Sequence, residues 1–97
     1  RKLVPRLGVY AVRAVLRDGQ TRGGMMNVGR RPTFETDGAV RAEVHLFDFS
    51  GDLYGKHLRV RMIDFIRPEQ KFESFDALKR QILTDAETAR GILAAKA

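Results

Sequence analysis

Apolar residues in this chain recur with a period of two as far as Pro68 and with steps of three and four from Ser74 onward. That one change limits what the chain can fold into. Successive side chains of a strand point to opposite faces, whereas a helix returns to the same face every 3.6 residues. Gly8 to Arg17 reads as a strand with two apolar faces: Val9, Ala11 and Val15 on one, Tyr10, Val12, Ala14 and Leu16 on the other. Asp18-Gly19 marks a tight hairpin, and Thr21 to Val28 is the returning strand. Gly23-Gly24 inside it implies a bulge or a close approach of another part of the chain. Gly29 to Gly38 is a loop. Ala39 to Phe49 is the clearest strand, with Val40, Ala42, Val44 and Leu46 alternating with Arg41, Glu43, His45 and Phe47. After a turn at Ser50-Gly51-Asp52, His57 to Ile66 is a further strand. It carries Leu58, Val60, Met62 and Ile66 on one face and Arg59, Arg61, Ile63 and Phe65 on the other.

From Ser74 the apolar positions Phe75, Leu78, Ile82, Ala86, Ala89 and Leu93 form one helical stripe. Ser74 suits an N-cap and Asp76 suits the positive end of the helix dipole. Thr84-Asp85 is a possible second cap, so one long helix and two short ones are equally compatible with the pattern. Short antiparallel strands followed by helix give a mostly β fold, a small antiparallel β-barrel with a C-terminal helix or helix pair. Ninety-seven residues make a single domain, 1–97, with strands over about 8–66 and helix over 74–95.

No apolar run approaches the ~18 residues of a membrane span. The lack of cysteine excludes a disulfide framework and fits a cytoplasmic protein. The net charge of +6 is scattered rather than clustered, which suits small anions better than an extended polyanion.

Four segments could carry chemistry. Glu43 stands mid-strand between Arg41 and His45 on one face. A carboxylate held on a rigid strand can take a proton from a substrate hydroxyl, although such rows are more often solvent-facing ion pairs. In Asn27 to Thr33, Gly29 lets a ligand approach the backbone, and Arg30 and Arg31 could answer phosphate charge. The segment is neither a Walker loop nor a dinucleotide fingerprint. Leu53-Tyr54-Gly55 follows a turn, where an aromatic commonly packs on its own hairpin. In Arg67 to Phe72, Arg67 and Glu69 could hydrogen-bond the polar edge of a ring system, and Phe72 could stack on it or anchor the helix. Phe75 and Leu78 read as core. Neither His45 nor His57 has a partner at ligand spacing, and no metal cluster is visible.

In their order and spacing, Asn27-Val28-Gly29-Arg30-Arg31-Pro32-Thr33-Phe34, Glu43-Val44-His45-Leu46-Phe47-Asp48-Phe49, Leu53-Tyr54-Gly55 and Ile66-Arg67-Pro68-Glu69-Gln70-Lys71-Phe72 resemble the riboflavin kinase domain of bacterial bifunctional riboflavin kinase/FAD synthetases. The match runs from about Gly8 to about Arg90. The resemblance implies ATP-dependent phosphorylation of riboflavin to FMN, with Glu43 as the base that deprotonates the ribityl 5′-hydroxyl. It implies nucleotide contacts at Leu53, Tyr54 and Val60, and flavin contacts at Arg67, Glu69 and Phe72. It also implies an active-site loop containing Asn27, Gly29, Arg31 and Thr33. The family's ATP- and magnesium-binding segments, Gly-rich and Pro-Thr-Ala-Asn, are expected upstream of Arg1. Mg2+ would therefore have no ligand in these 97 residues, and the piece alone is expected to be inactive or nearly so. An N-terminal FMN adenylyltransferase domain is the expected partner in the parent chain.

The competing reading is a non-catalytic basic barrel that binds nucleic acid. It requires aromatics interleaved with Lys and Arg on an exposed sheet face. Phe47 and Phe49 beside Arg41 provide only a thin version of that, and the chain has no tryptophan.

Overall fold

The computed structural model describes residues 6–30, 40–48 and 59–96. Four strands, β1 (Gly8–Val15), β2 (Thr21–Arg30), β3 (Val40–Leu46) and β4 (Arg59–Pro68), precede one helix, α1 (Phe75–Ala95). The strands form a single antiparallel sheet in the order β3-β2-β1-β4. The fourth strand returns beside the first, the Greek-key arrangement. The architecture is mostly β, and among the described residues the sheet is open, with β3 and β4 at its edges.

Local chemistry accounts for the elements. Leu16 and Gly19 close the β1–β2 turn, the Gly19 N–H donating to the Leu16 carbonyl at 2.9 Å. Gly19 has φ of 90°, a conformation a side chain would oppose. The register runs through Gly23-Gly24 without a shift. Close approach, not a bulge, is therefore what these glycines permit. A Cβ on Gly23 would meet Leu93 Cδ1 of α1 at 2.7 Å, and one on Gly24 would lie 3.1 Å from the Leu46 Cα.

Strand β4 departs from simple alternation. Its pairing with β1 slips twice, between Val9 and Tyr10 and between Ala11 and Val12, leaving Ile66 and Ile63 as extra residues. Each slip reverses the faces that follow. Ile63 and Ile66 thus both pack toward the helix, whereas Val60 and Phe65 join the opposite core. A strict period of two instead places Ile66 with Val60 and Phe65 with Ile63. Pro68 is tolerated as the last residue of β4 because that strand is an edge.

Two cores result. One face of the sheet buries Tyr10, Val12, Met26 and Val28, with Val44, Val60 and Phe65 against them. Tyr10 and Phe65 meet edge to face with centroids 5.1 Å apart. The other face buries Ala11 and Phe47 beneath Ala89 and Leu93 of the helix. Phe47 is 6% exposed and lies under the Arg90 guanidinium, 4.3 Å from its centroid. It cannot offer its ring to a base, which removes an aromatic the nucleic-acid reading needed.

The helix is one element. Ser74 caps it, its hydroxyl accepting from the Ala77 N–H at 3.1 Å, and Asp76 lies in the first turn. Thr84-Asp85 does not start a second helix. Thr84 donates back to the Arg80 carbonyl, and Asp85 is buried in the middle of the span. Phe75 is 72% exposed and so is not core.

Candidate active site

One cross-strand row organises the helix-facing side. Glu43 on β3 is paired with Asn27 on β2, Asn27 with Val9 on β1, and Val9 with Arg67 on β4. Three strand steps of about 4.8 Å separate the ends, so the row spans roughly 14 Å. Two residues along the strands, His45 lies opposite Met25. Beyond Pro68 the chain leaves the sheet, and Glu69, Gln70 and Phe72 lead to the N-cap of α1.

These residues line a half-open cavity of about 520 Å3 between the sheet and the first half of the helix. Asn27, Glu43 and His45 line its β3 side; Arg67, Glu69, Gln70 and Phe72 line its β4 side. Val9 and Met25 contribute from the sheet, and Leu78, Ile82 and Asp85 from the helix. An apolar interior with a few converging polar groups is the usual form of a small-molecule site. Among the described residues the charged lining comprises three carboxylates, Glu43, Glu69 and Asp85, and one guanidinium, Arg67. The described residues thus give this cavity more carboxylate than cation, although the chain carries +6 overall.

Arg67 and Asp85 fix the wall opposite Glu43. The Arg67 Nε donates to both Asp85 oxygens at 3.0 Å, and its Nη2 donates to Oδ2 at 2.7 Å. Arg67 Nη1 reaches the Pro68 carbonyl at 3.1 Å, and Gln81 Nε2 donates to Asp85 Oδ1 at 2.9 Å. Asp85 is 2% exposed and would be costly there without this planar partner. Arg67 also lies above the Phe72 ring, 5.7 Å from its centroid. Glu69 crosses to β2, where its carboxylate occupies the space above Gly29 that a side chain would otherwise fill. Gly29 thus admits another part of this chain.

Of the residues expected from sequence, Asn27, Glu43, Arg67, Glu69 and Phe72 line one cavity. Gly29 sits at its edge beneath Glu69. Val60 packs in the opposite core with Tyr10 and Val12, across the sheet from Glu43. Arg31, Thr33, Leu53, Tyr54 and His57 lie outside the described residues. His45 is part of the lining, a role its lack of a spaced partner conceals. Asp85 escapes a reading of the sequence because Thr-Asp resembles a local cap; its position within the apolar stripe between Ile82 and Ala86 is the available signal. No group of three or more His, Cys, Asp or Glu among the described residues could hold a metal ion.

The riboflavin kinase (flavokinase) family model matches residues 1–93. The chain belongs to the riboflavin kinase family. It is 45% identical over 97 residues to the bifunctional riboflavin kinase/FMN adenylyltransferase of Pseudomonas fluorescens, covering all of this chain and 31% of that protein. It is 47% identical over 91 residues to the protein of the same name from Haemophilus influenzae, covering 93% and 29%. The Escherichia coli K12 protein of that name is 44% identical over 92 residues, covering 93% and 28%. The chain thus spans less than a third of these curated relatives. A crystal structure titled as a macrolide-efflux protein from Streptococcus pneumoniae superposes with a TM-score of 0.80 at 38% identity, covering 93% of this chain and 29% of that one. Among the described residues no helix is long and apolar enough to cross a membrane.

Proposed function

We propose that this chain, residues 1–97 as one unit, forms the flavin-binding and proton-accepting part of a riboflavin kinase that converts riboflavin and ATP to FMN and ADP. The observation that carries the reading is that Glu43 and the group Arg67, Glu69 and Phe72, from opposite edges of the sheet, line one cavity. A flat ring system fits the Phe72 and Arg67 end, against Leu78 and Ile82. A polyol chain can then follow the row through Asn27 to Glu43. The carboxylates among the described lining residues suit this division, since riboflavin is uncharged and carboxylates repel a phosphate.

Glu43 accepts the proton of the terminal ribityl hydroxyl. The hydroxyl oxygen bonds to the γ-phosphorus of ATP, and the bond from that phosphorus to the bridging oxygen breaks, leaving ADP. Phosphoryl transfer requires positioning and charge neutralisation more than covalent help, so orienting the nucleophile is the main contribution of these residues. Asn27, beside Glu43 across the strands, can hold the same hydroxyl chain by hydrogen bonds. Leu53 and Tyr54 are assigned to the nucleotide side, and Arg31 and Thr33 to the active-site loop; Val60, packed in the opposite core, is not assigned to the nucleotide. Mg2+ accompanying ATP would neutralise the phosphate charge, and its ligands are assigned outside the described residues. The relatives' names also support a second, FMN adenylyltransferase activity in the protein containing this chain, and a cytoplasmic setting suits both substrates.

FMN formation from riboflavin and Mg-ATP by the full-length protein tests the reading. Glu43→Gln is expected to lower turnover by about 10²–10⁴-fold with little loss of stability, because the residue is exposed on an edge strand. Wild-type turnover in the Glu43→Gln protein would remove Glu43 as proton acceptor. A folded wild-type protein that made no FMN would sink the kinase reading.

A further inference from the structure

We propose that Asp85 is a positioning residue for the ring-binding end of the cavity, acting through Arg67. The proposal rests on the riboflavin kinase reading of the same cavity. Asp85 is the one charged residue among the helix positions buried against the sheet. A helix needing only an apolar stripe would carry Ala or Leu there. The carboxylate is instead saturated: Arg67 Nε and Nη2 address both oxygens, and Gln81 Nε2 adds a third donor at 2.9 Å. Buried ion pairs are weak contributors to net stability, since desolvation offsets their attraction. Geometry is the better account of this one.

The pair connects the end of β4 to the middle of α1 and brackets the intervening segment, which contains Glu69, Gln70 and Phe72. It fixes three things at once. The Arg67 guanidinium stays in one plane, beside the Phe72 ring. The Arg67 Nη1–H reaches the Pro68 carbonyl oxygen, which sets the direction in which the chain leaves the sheet. The helix is held with Leu78 and Ile82 on the cavity wall. An Arg has five N–H donors, and these bonds account for three of them. Asp85 thereby presents Arg67's remaining donors without itself needing to touch a ligand.

The test is flavin affinity of the full-length protein by quenching of riboflavin fluorescence, beside steady-state kinetics, for wild type, Asp85→Asn and Gln81→Leu. Asp85→Asn keeps the shape and loses the charge. Gln81→Leu leaves the ion pair but removes one donor to Asp85, at a residue outside the cavity lining. Misplacement of binding groups by about 1 Å can cost up to about 100-fold. Asp85→Asn is expected to weaken riboflavin binding by about 10-fold or more and to raise the riboflavin KM in step. The KM for ATP should be unchanged and kcat at saturating riboflavin nearly so, the pattern of lost ground-state binding. Gln81→Leu is expected to give a smaller change of the same kind. Affinities are compared at equal folded fraction, so lowered stability with unchanged flavin affinity in both variants would overturn the proposal. A wild-type protein that bound riboflavin but made no FMN would count against the kinase reading instead.

Discussion

The two halves of α1 meet the same sheet face in different ways. In the C-terminal half, Ala86, Ala89, Ile92 and Leu93 pack on Ala11, Met25 and Phe47. In the N-terminal half, Leu78, Ile82 and Asp85 line a cavity of about 520 Å3 between helix and sheet. Small residues permit the first contact: Gly23 leaves room for Leu93, and Ala11 and Ala89 are fully buried. At the second, the Arg67–Asp85 ion pair ties helix to strand at the cavity wall. One helix therefore serves as core at one end and as the wall of a binding site at the other, and the choice of residue at each step of the stripe decides which.

Substitutions at matching positions can break this contrast. The largest effect on stability is expected at the packed end. Leu93 is buried, so Leu93→Ala should destabilise the protein by about 2–5 kcal/mol in urea unfolding. Its riboflavin affinity should stay within a factor of about two of wild type once the protein is folded. At the cavity end the order reverses. Ile82 is 41% exposed, so Ile82→Ala should cost about 1 kcal/mol of stability or less. It should still weaken riboflavin binding by roughly tenfold, the value of one or two apolar contacts. Equal effects of the two substitutions on both readouts would mean that the helix is a uniform cover.

Much of this arrangement is legible in the sequence, and the parts that are not share one cause. The change of period locates the helix, and Ser74 caps it where its side-chain chemistry indicates. Alternation along β3 puts Glu43 and His45 on the helix-facing side with Phe47. The residues that mislead depend on partners distant in the chain. Thr84-Asp85 has the local form of a cap, and only Arg67, 18 residues earlier, reveals Asp85 as a buried anchor. Phe75 obeys the helical spacing yet is largely exposed. The slip at Ile63 exchanges Phe65 and Ile66 between faces, and strand periodicity has no means of registering it. Gly29 is a place of close approach, as its residue type indicates, but the approaching group is Glu69.

Hydrogen–deuterium exchange of the full-length protein with and without riboflavin tests the central claim most directly. Riboflavin is predicted to slow exchange in residues 67–72 and 78–85 and around Asn27 and Glu43, leaving residues 89–95 unchanged. Unchanged exchange in 67–72 and 78–85 at saturating riboflavin, with protection appearing elsewhere, would contradict the assignment of this cavity to the flavin.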